Sequence, residues 1–259
     1  MKVFSRVKKY FAIRDVRKKK RLIRRYYKTV GPEGLWIPPE STRRQYRFMC
    51  VSSEDGSTFF KKIPDRIKDV QTLRRWLVRL APFHVYYTTS TWLDPQRLGP
   101  RNWTKKGRAK KKGGYMLAHN VFLNQELYFD IDMPGKLEQG KKEVLGLKDF
   151  LRKEYGFKDF RIIYSGGKGF HLHVYDFDWK KYTDLRPEDP RIREGLMTEI
   201  KGDIVTKVME AGFIFDADVT LDTRRIIRLP GTVHGKTLNL CQLIPEADVD
   251  GFRPTRIPH

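Results

Sequence analysis

Cysteine is almost absent: the chain has two, Cys50 and Cys241, far apart and in no CxxC pair. That excludes a disulfide framework and a Cys-rich zinc site, and it suits a reducing setting. Long apolar runs are missing too. No stretch approaches the roughly 18 apolar residues of a membrane span, and the first residues lack the apolar core of a secretory signal. The expected setting is cytoplasmic, with no membrane partner. Acidic residues are scarce: 31 Asp+Glu against 53 Lys+Arg leave a formal net charge of +22. What is present is core-forming material, 39% hydrophobic and 13% aromatic residues in a chain of 259. That share excludes a disordered tail protein. With no internal repeat and no long linker, a single domain is expected.

The excess charge is concentrated. Residues 1–30 carry 13 Lys/Arg and one acid, Asp15. Residues 95–114 carry eight cations and no acid, and the two segments together hold 20 of the 22 excess charges. Such a footprint points to a polyanion, with binding that is strongly salt-dependent. Arg101, Lys105, Lys106, Arg108, Lys110, Lys111 and Lys112 are the candidate nucleic-acid contacts, with Trp92, Trp103 and Tyr115 nearby as possible base-stacking surfaces. Residues 1–30 read as a basic N-terminal helical segment and 31–259 as the domain proper.

Apolar periodicity predicts helices over 16–30, after an N-cap at Asp69 (Val70, Leu73, Leu77, Leu80), through Val144–Tyr155, and through Leu196–Val208. Strands are predicted at Tyr46–Val51, Ser57–Lys61, His84–Thr89, Glu126–Asp132, Arg161–Ser165, Phe170–Val174, Phe213–Asp218 and Ile226–Leu229. Alternating strands and helices with hairpin-like pairs indicate a mixed-sheet α/β (α+β) domain.

Three motifs carry chemistry. Asp130 and Asp132 lie a residue apart, so a strand places both carboxylates on one face. Paired oxygen ligands suit Mg²⁺ or Mn²⁺, which also bridge substrate phosphates. Ser165-Gly-Gly-Lys-Gly-Phe-His171 combines glycines, which let backbone approach an anion, with donors from Ser165, Lys168 and His171. It is neither a Walker A loop nor GxGxxG. The third stretch, Asp216–Arg228 followed by Pro230-Gly-Thr-Val-His-Gly-Lys236, packs acids and cations at unusual density. A third carboxylate (Asp216, Asp218 or Asp222) would complete a two-metal site, and Arg228, His234 and Lys236 would neutralise a triphosphate.

In this order the motifs resemble those of the catalytic small subunit of the archaeo-eukaryotic DNA primase family, archaeal type: a DxD at a strand end (Phe129-Asp-Ile-Asp132), SxxxGxH (Ser165, Gly169, His171), and an acid, an arginine-rich strand and PGSLHGK (Asp216; Pro230–Lys236). Arg25-Tyr-Tyr27, Arg44-Gln-Tyr-Arg-Phe48 and His84–Ser90 resemble further family signatures, so the resemblance runs over roughly 20–240.

The resemblance implies an RRM-like catalytic sheet flanked by helices, with 31–259 as the primase catalytic domain. It also implies a nucleotidyltransferase that makes short RNA or DNA primers on single-stranded DNA from NTPs or dNTPs by two-metal-ion catalysis. Asp130, Asp132 and Asp216 would hold two Mg²⁺ or Mn²⁺ ions; Asp216 is preferred because it stands, as the family's third acid does, eighteen residues before the histidine, His234. Ser165, Gly166, Lys168, His171, Arg228, His234 and Arg44 would bind the nucleotide. A primase large subunit is the implied protein partner and the nucleoid the implied location. No cysteine lies between Asp132 and Ser165, so no structural zinc is expected at the family's usual place. The alternatives are a gap-filling repair polymerase like that of bacterial end-joining ligases, and a non-catalytic nucleic-acid-binding subunit.

Overall fold

The structure, a computed structural model, describes residues 2–98 and 120–258, with side chains from residue 13 of the first helix onward. The candidate contacts Arg101, Lys105, Lys106, Arg108, Lys110, Lys111 and Lys112 lie outside the described residues.

Helix α1 runs Lys2–Thr29. It is longer than the apolar spacing alone predicts, because Lys and Arg are good helix formers and no Gly or Pro interrupts before Gly31. Strands β1 (Tyr46–Val51) and β2 (Thr58–Lys62) form a hairpin, followed by α2 (Val70–Leu80) and β3 (His84–Thr88). The Asp69 side chain accepts the Thr72 N–H at 2.7 Å and caps α2, as the sequence predicts. Next come β4 (Ser90–Trp92), β5 (Phe122–Gln125), β6 (Leu127–Asp132), α3 (Leu137–Tyr155), β7 (Phe160–Tyr164) and β8 (Gly169–Val174). The described chain closes with α4 (Pro190–Glu210), α5 (Ala217–Leu221), β9 (Ile226–Arg228) and β10 (Gln242–Ile244).

The strands form two four-stranded antiparallel sheets, ordered β2-β1-β3-β9 and β10-β7-β8-β6, plus the small β4-β5 pair. This is the mixed α/β architecture that the sequence pattern indicates. In the second sheet β8 lies between β6 and β7, and α3 crosses from β6 to β7. Each sheet has its own core. Phe48, Val85, Tyr87 and Ile227 of the first meet Leu73 and Leu77 of α2 and Ile23 and Tyr27 of α1. Phe129, Ile131, Ile162 and Leu172 of the second meet Val144 and Leu151 of α3 and Ile204 and Val208 of α4.

One predicted strand is wrong. Phe213–Asp218 joins no sheet; Asp216 caps the short helix α5, its Oδ1 accepting the Val219 N–H at 3.1 Å. Phe213 and Phe215 pack on the second core from the preceding loop, and their spacing imitates strand alternation. The three- and four-residue strands β4, β5 and β10 are too short to show a period.

Candidate active site

The two sheets open onto a shared cleft of about 620 Å³. One wall comes from the first sheet: Met49 of β1, His84 and Tyr86 of β3, and Ile226 and Arg228 of β9. The other comes from the second sheet: Asp130 and Asp132 of β6 and His171 of β8. Three loop segments complete the rim, carrying Ser165–Lys168, Arg225 and His234–Thr237.

Strand alternation sets the carboxylate floor. Leu127, Phe129 and Ile131 point into the core with zero exposure, which turns Asp130 and Asp132 to the opposite face. Asp130 pairs with His171 in register, and His171 Nε2 lies 3.5 Å from Asp130 Oδ1. β6 is the edge strand, so its outward carbonyls need partners. Asp216 supplies one: its N–H donates to Asp130 O at 2.9 Å, which seats the third acid beside the pair. Burial, then the charges of Asp132 and Asp216, raise the Asp130 carboxyl to about 6, against the opposing pull of Arg225. Three negative charges are thus felt at one place. That crowding, and an all-oxygen donor set, fit a hard divalent cation. Among the described residues no three His, Cys, Asp or Glu side chains converge as a finished ligand cage. Asp132 Oδ2 is held by Lys168 Nζ at 2.6 Å, and Asp216 is engaged as a cap.

The loop before β8 is built for close approach. Gly166 has φ +79°, and a Cβ there would come within 2.9 Å of His234 Cβ. Ser165 Oγ accepts the N–H groups of Gly167 (3.4 Å) and Gly169 (3.3 Å), which leaves its own O–H to donate into the cleft. Opposite, His234 Nδ1 accepts the Thr237 N–H at 3.2 Å, so the ring proton sits on Nε2, close to Gly167. Burial and the Arg228 charge lower His234 to about 4, so it is a neutral donor at physiological pH. Arg228 Nη1 donates to His84 Nδ1 at 2.6 Å and its guanidinium lies over the Tyr86 ring. Burial and Arg228 drive His84 down as well. The Asp132 carboxylate raises Lys168.

Asp130, Asp132, Ser165, Lys168, His171, Arg228 and His234 therefore come together from four separate stretches of chain, with Gly166 and Asp216 against the rim. Arg44 does not. Its guanidinium is buried between the sheets, donating to Pro39 O, Thr88 O, Thr89 O and Glu126 Oε1, while Glu126 Oε2 meets His173 Nδ1 at 3.1 Å. Buried there, it does not line the cleft. Arg225, His84, Tyr86 and Thr237 belong to the site and escape sequence reading. Arg225 was within reach as part of the same arginine-rich stretch. His84 was not, since only the β3–β9 pairing, with Tyr86 opposite Arg228, brings it within hydrogen-bond reach of that arginine.

This arrangement, an acidic floor against a wall of N–H and O–H donors, is suited to holding a polyphosphate with its cations. The polymerase domain of Mycobacterium tuberculosis Ligase D, solved in complex with DNA, superposes with a TM-score of 0.55 at 14% identity, covering 92% of this chain and 85% of that one. The two chains share a fold. A family model described as DNA primase small subunit matches residues 129–244. Related chains include the DNA primase small subunits of Archaeoglobus fulgidus (24% identical, over 85% of this chain and 78% of the relative), Halorubrum lacusprofundi (23%, over 88% and 55%) and Pyrobaculum calidifontis (29%, over 66% and 62%). The chain is similar to DNA primase small subunits over these stretches. It spans a little over half to about four-fifths of these relatives' length.

Proposed function

We propose that this chain is the catalytic part of a DNA primase, joining nucleotides into short primers on single-stranded DNA. The observation that carries the reading is a single cleft in which Asp130, crowded by the charges of Asp132 and Asp216, is lined together with Ser165, Arg228 and His234. Asp130, Asp132 and Asp216 would hold Mg²⁺ or Mn²⁺. Such ions, when bound, supply activation of a 3′-hydroxyl and stabilisation of charge on the transferring phosphoryl group.

The chain's own groups do the rest. The Ser165 hydroxyl and the His234 Nε2–H donate to the triphosphate without adding charge. Arg228, Lys168 and Lys236 balance its negative charge, and Arg225 joins them from the Asp130 side. Because Arg228 is braced by His84 and Tyr86, its charge is presented in one fixed orientation, which favours transition-state stabilisation. Lys110, Lys111 and Lys112 are proposed template contacts, and a primase large subunit is the proposed partner.

Unprimed single-stranded DNA, divalent ions and labelled NTPs or dNTPs in separate reactions test the reading. Products absent with Asp130→Ala are expected. Extension of annealed primers alone would favour a gap-filling repair polymerase, and no incorporation under any nucleotide mix would sink the assignment.

A further inference from the structure

Six cations of the first helix share one exposed face, while the half-buried Lys19, Lys20 and Arg24 lie off it. Arg14, Arg17, Lys18, Arg21, Arg25 and Lys28 are all exposed. At 100° per residue these positions fall within an arc of about 100°, over a length of about 21 Å. The opposite side carries Ile23 and Tyr27, which are fully buried, and the half-buried Val16 and Val30. The one acid, Asp15, lies off the stripe and is paired with Lys19 at 3.0 Å. The helix is also tied to the site. Tyr26 Oη donates to Gly231 O (3.1 Å) and Tyr27 Oη accepts the Val233 N–H (3.0 Å), gripping the loop just before His234.

We infer that this stripe is a docking surface for the sugar-phosphate backbone of a nucleic-acid strand. A strand carries one charge per about 3.4 Å of rise, so 21 Å of helix faces about six phosphates, one for each of the six cations. An acidic protein surface would not need that even spacing. The grip of Tyr26 and Tyr27 keeps the bound strand at a fixed distance from the His234 loop. The inference rests on the proposed polymerase activity only for the identity of the polyanion.

The test is binding of a labelled oligonucleotide, without nucleotides or divalent ions, to the full chain and to Arg14→Gln/Lys18→Gln/Arg21→Gln. Loss of three phosphate contacts reduces the slope of log affinity against log salt by about 2 to 3. Single-stranded and duplex probes in parallel show which form is held. Nucleoside-triphosphate affinity, measured without DNA, is expected to stay unchanged, since none of the three residues lines the cleft. An unchanged salt slope with both probes overturns the inference, whether or not primers are made; absence of primer synthesis with the slope reduced as expected tells against the proposed reaction instead.

Discussion

Asp130 is held where a carboxylate is least at ease with its charge. In the unfolded chain it titrates at its ordinary 3.8, and in the fold at about 6. The fold therefore gives up stability as pH rises from about 4 to about 6. Asp130→Asn is expected to abolish incorporation yet raise the melting temperature at pH 7 to 8 in chelator, with the gain gone at pH 4. Thermal melts across that range check it, and equal melting at both pH values would contradict the cause given. Template binding by the variant should be unaffected. At this scale the sequence was largely readable, because alternation on one strand and the Ser165–His171 spacing are local facts. Arg44 misled because burial is not local: its ion pair with Glu126 depends on two sheets meeting.

Single elements place these side chains, and two of them can be tested directly. Gly169 faces Asp132 across the β6–β8 pair, and a Cβ there would fall 1.9 Å from Ile131 O. Gly169→Ala must push the two strands apart, so the expected outcome is loss of activity with a marked drop in melting temperature. Asp216 does two jobs, capping α5 and contributing charge. Asn keeps a capping oxygen while removing the charge. Asp216→Asn is thus expected to melt near wild type but fail in the primer assay, whereas Asp216→Ala loses about 1 kcal/mol of stability besides. Unfolding curves for both variants separate the roles. The helix at Asp216 was hidden in the sequence because Phe213 and Phe215 reach the core from a loop at strand spacing.

The whole molecule is two cores with a cleft along their seam, and its histidines record the dryness of that seam. His84, His171 and His234 are all pushed below the ordinary 6.5, chiefly by burial. Each stays neutral in the fold while the unfolded chain takes up protons, so stability present above pH 6.5 is lost as pH falls toward about 4. A melting temperature that declines over that window is expected, and less so for His84→Gln. The mixed α/β class was legible from alternating elements. The pairing of strands into two sheets was not, because it joins segments that no local pattern connects.

His84 and Arg228 are 144 residues apart in sequence yet share a hydrogen bond. The first sheet is closed by β9, which arrives only after every strand of the second sheet except β10. During synthesis the amino-terminal sheet must therefore wait with an unpaired β3 edge while the second core forms from nearer neighbours. Closure of the first sheet is a long-range step that follows β6, β7 and β8 in synthesis. The donor wall that faces the carboxylates comes into being only with that step, so a nascent chain has the paired acids well before it has the donors that face them.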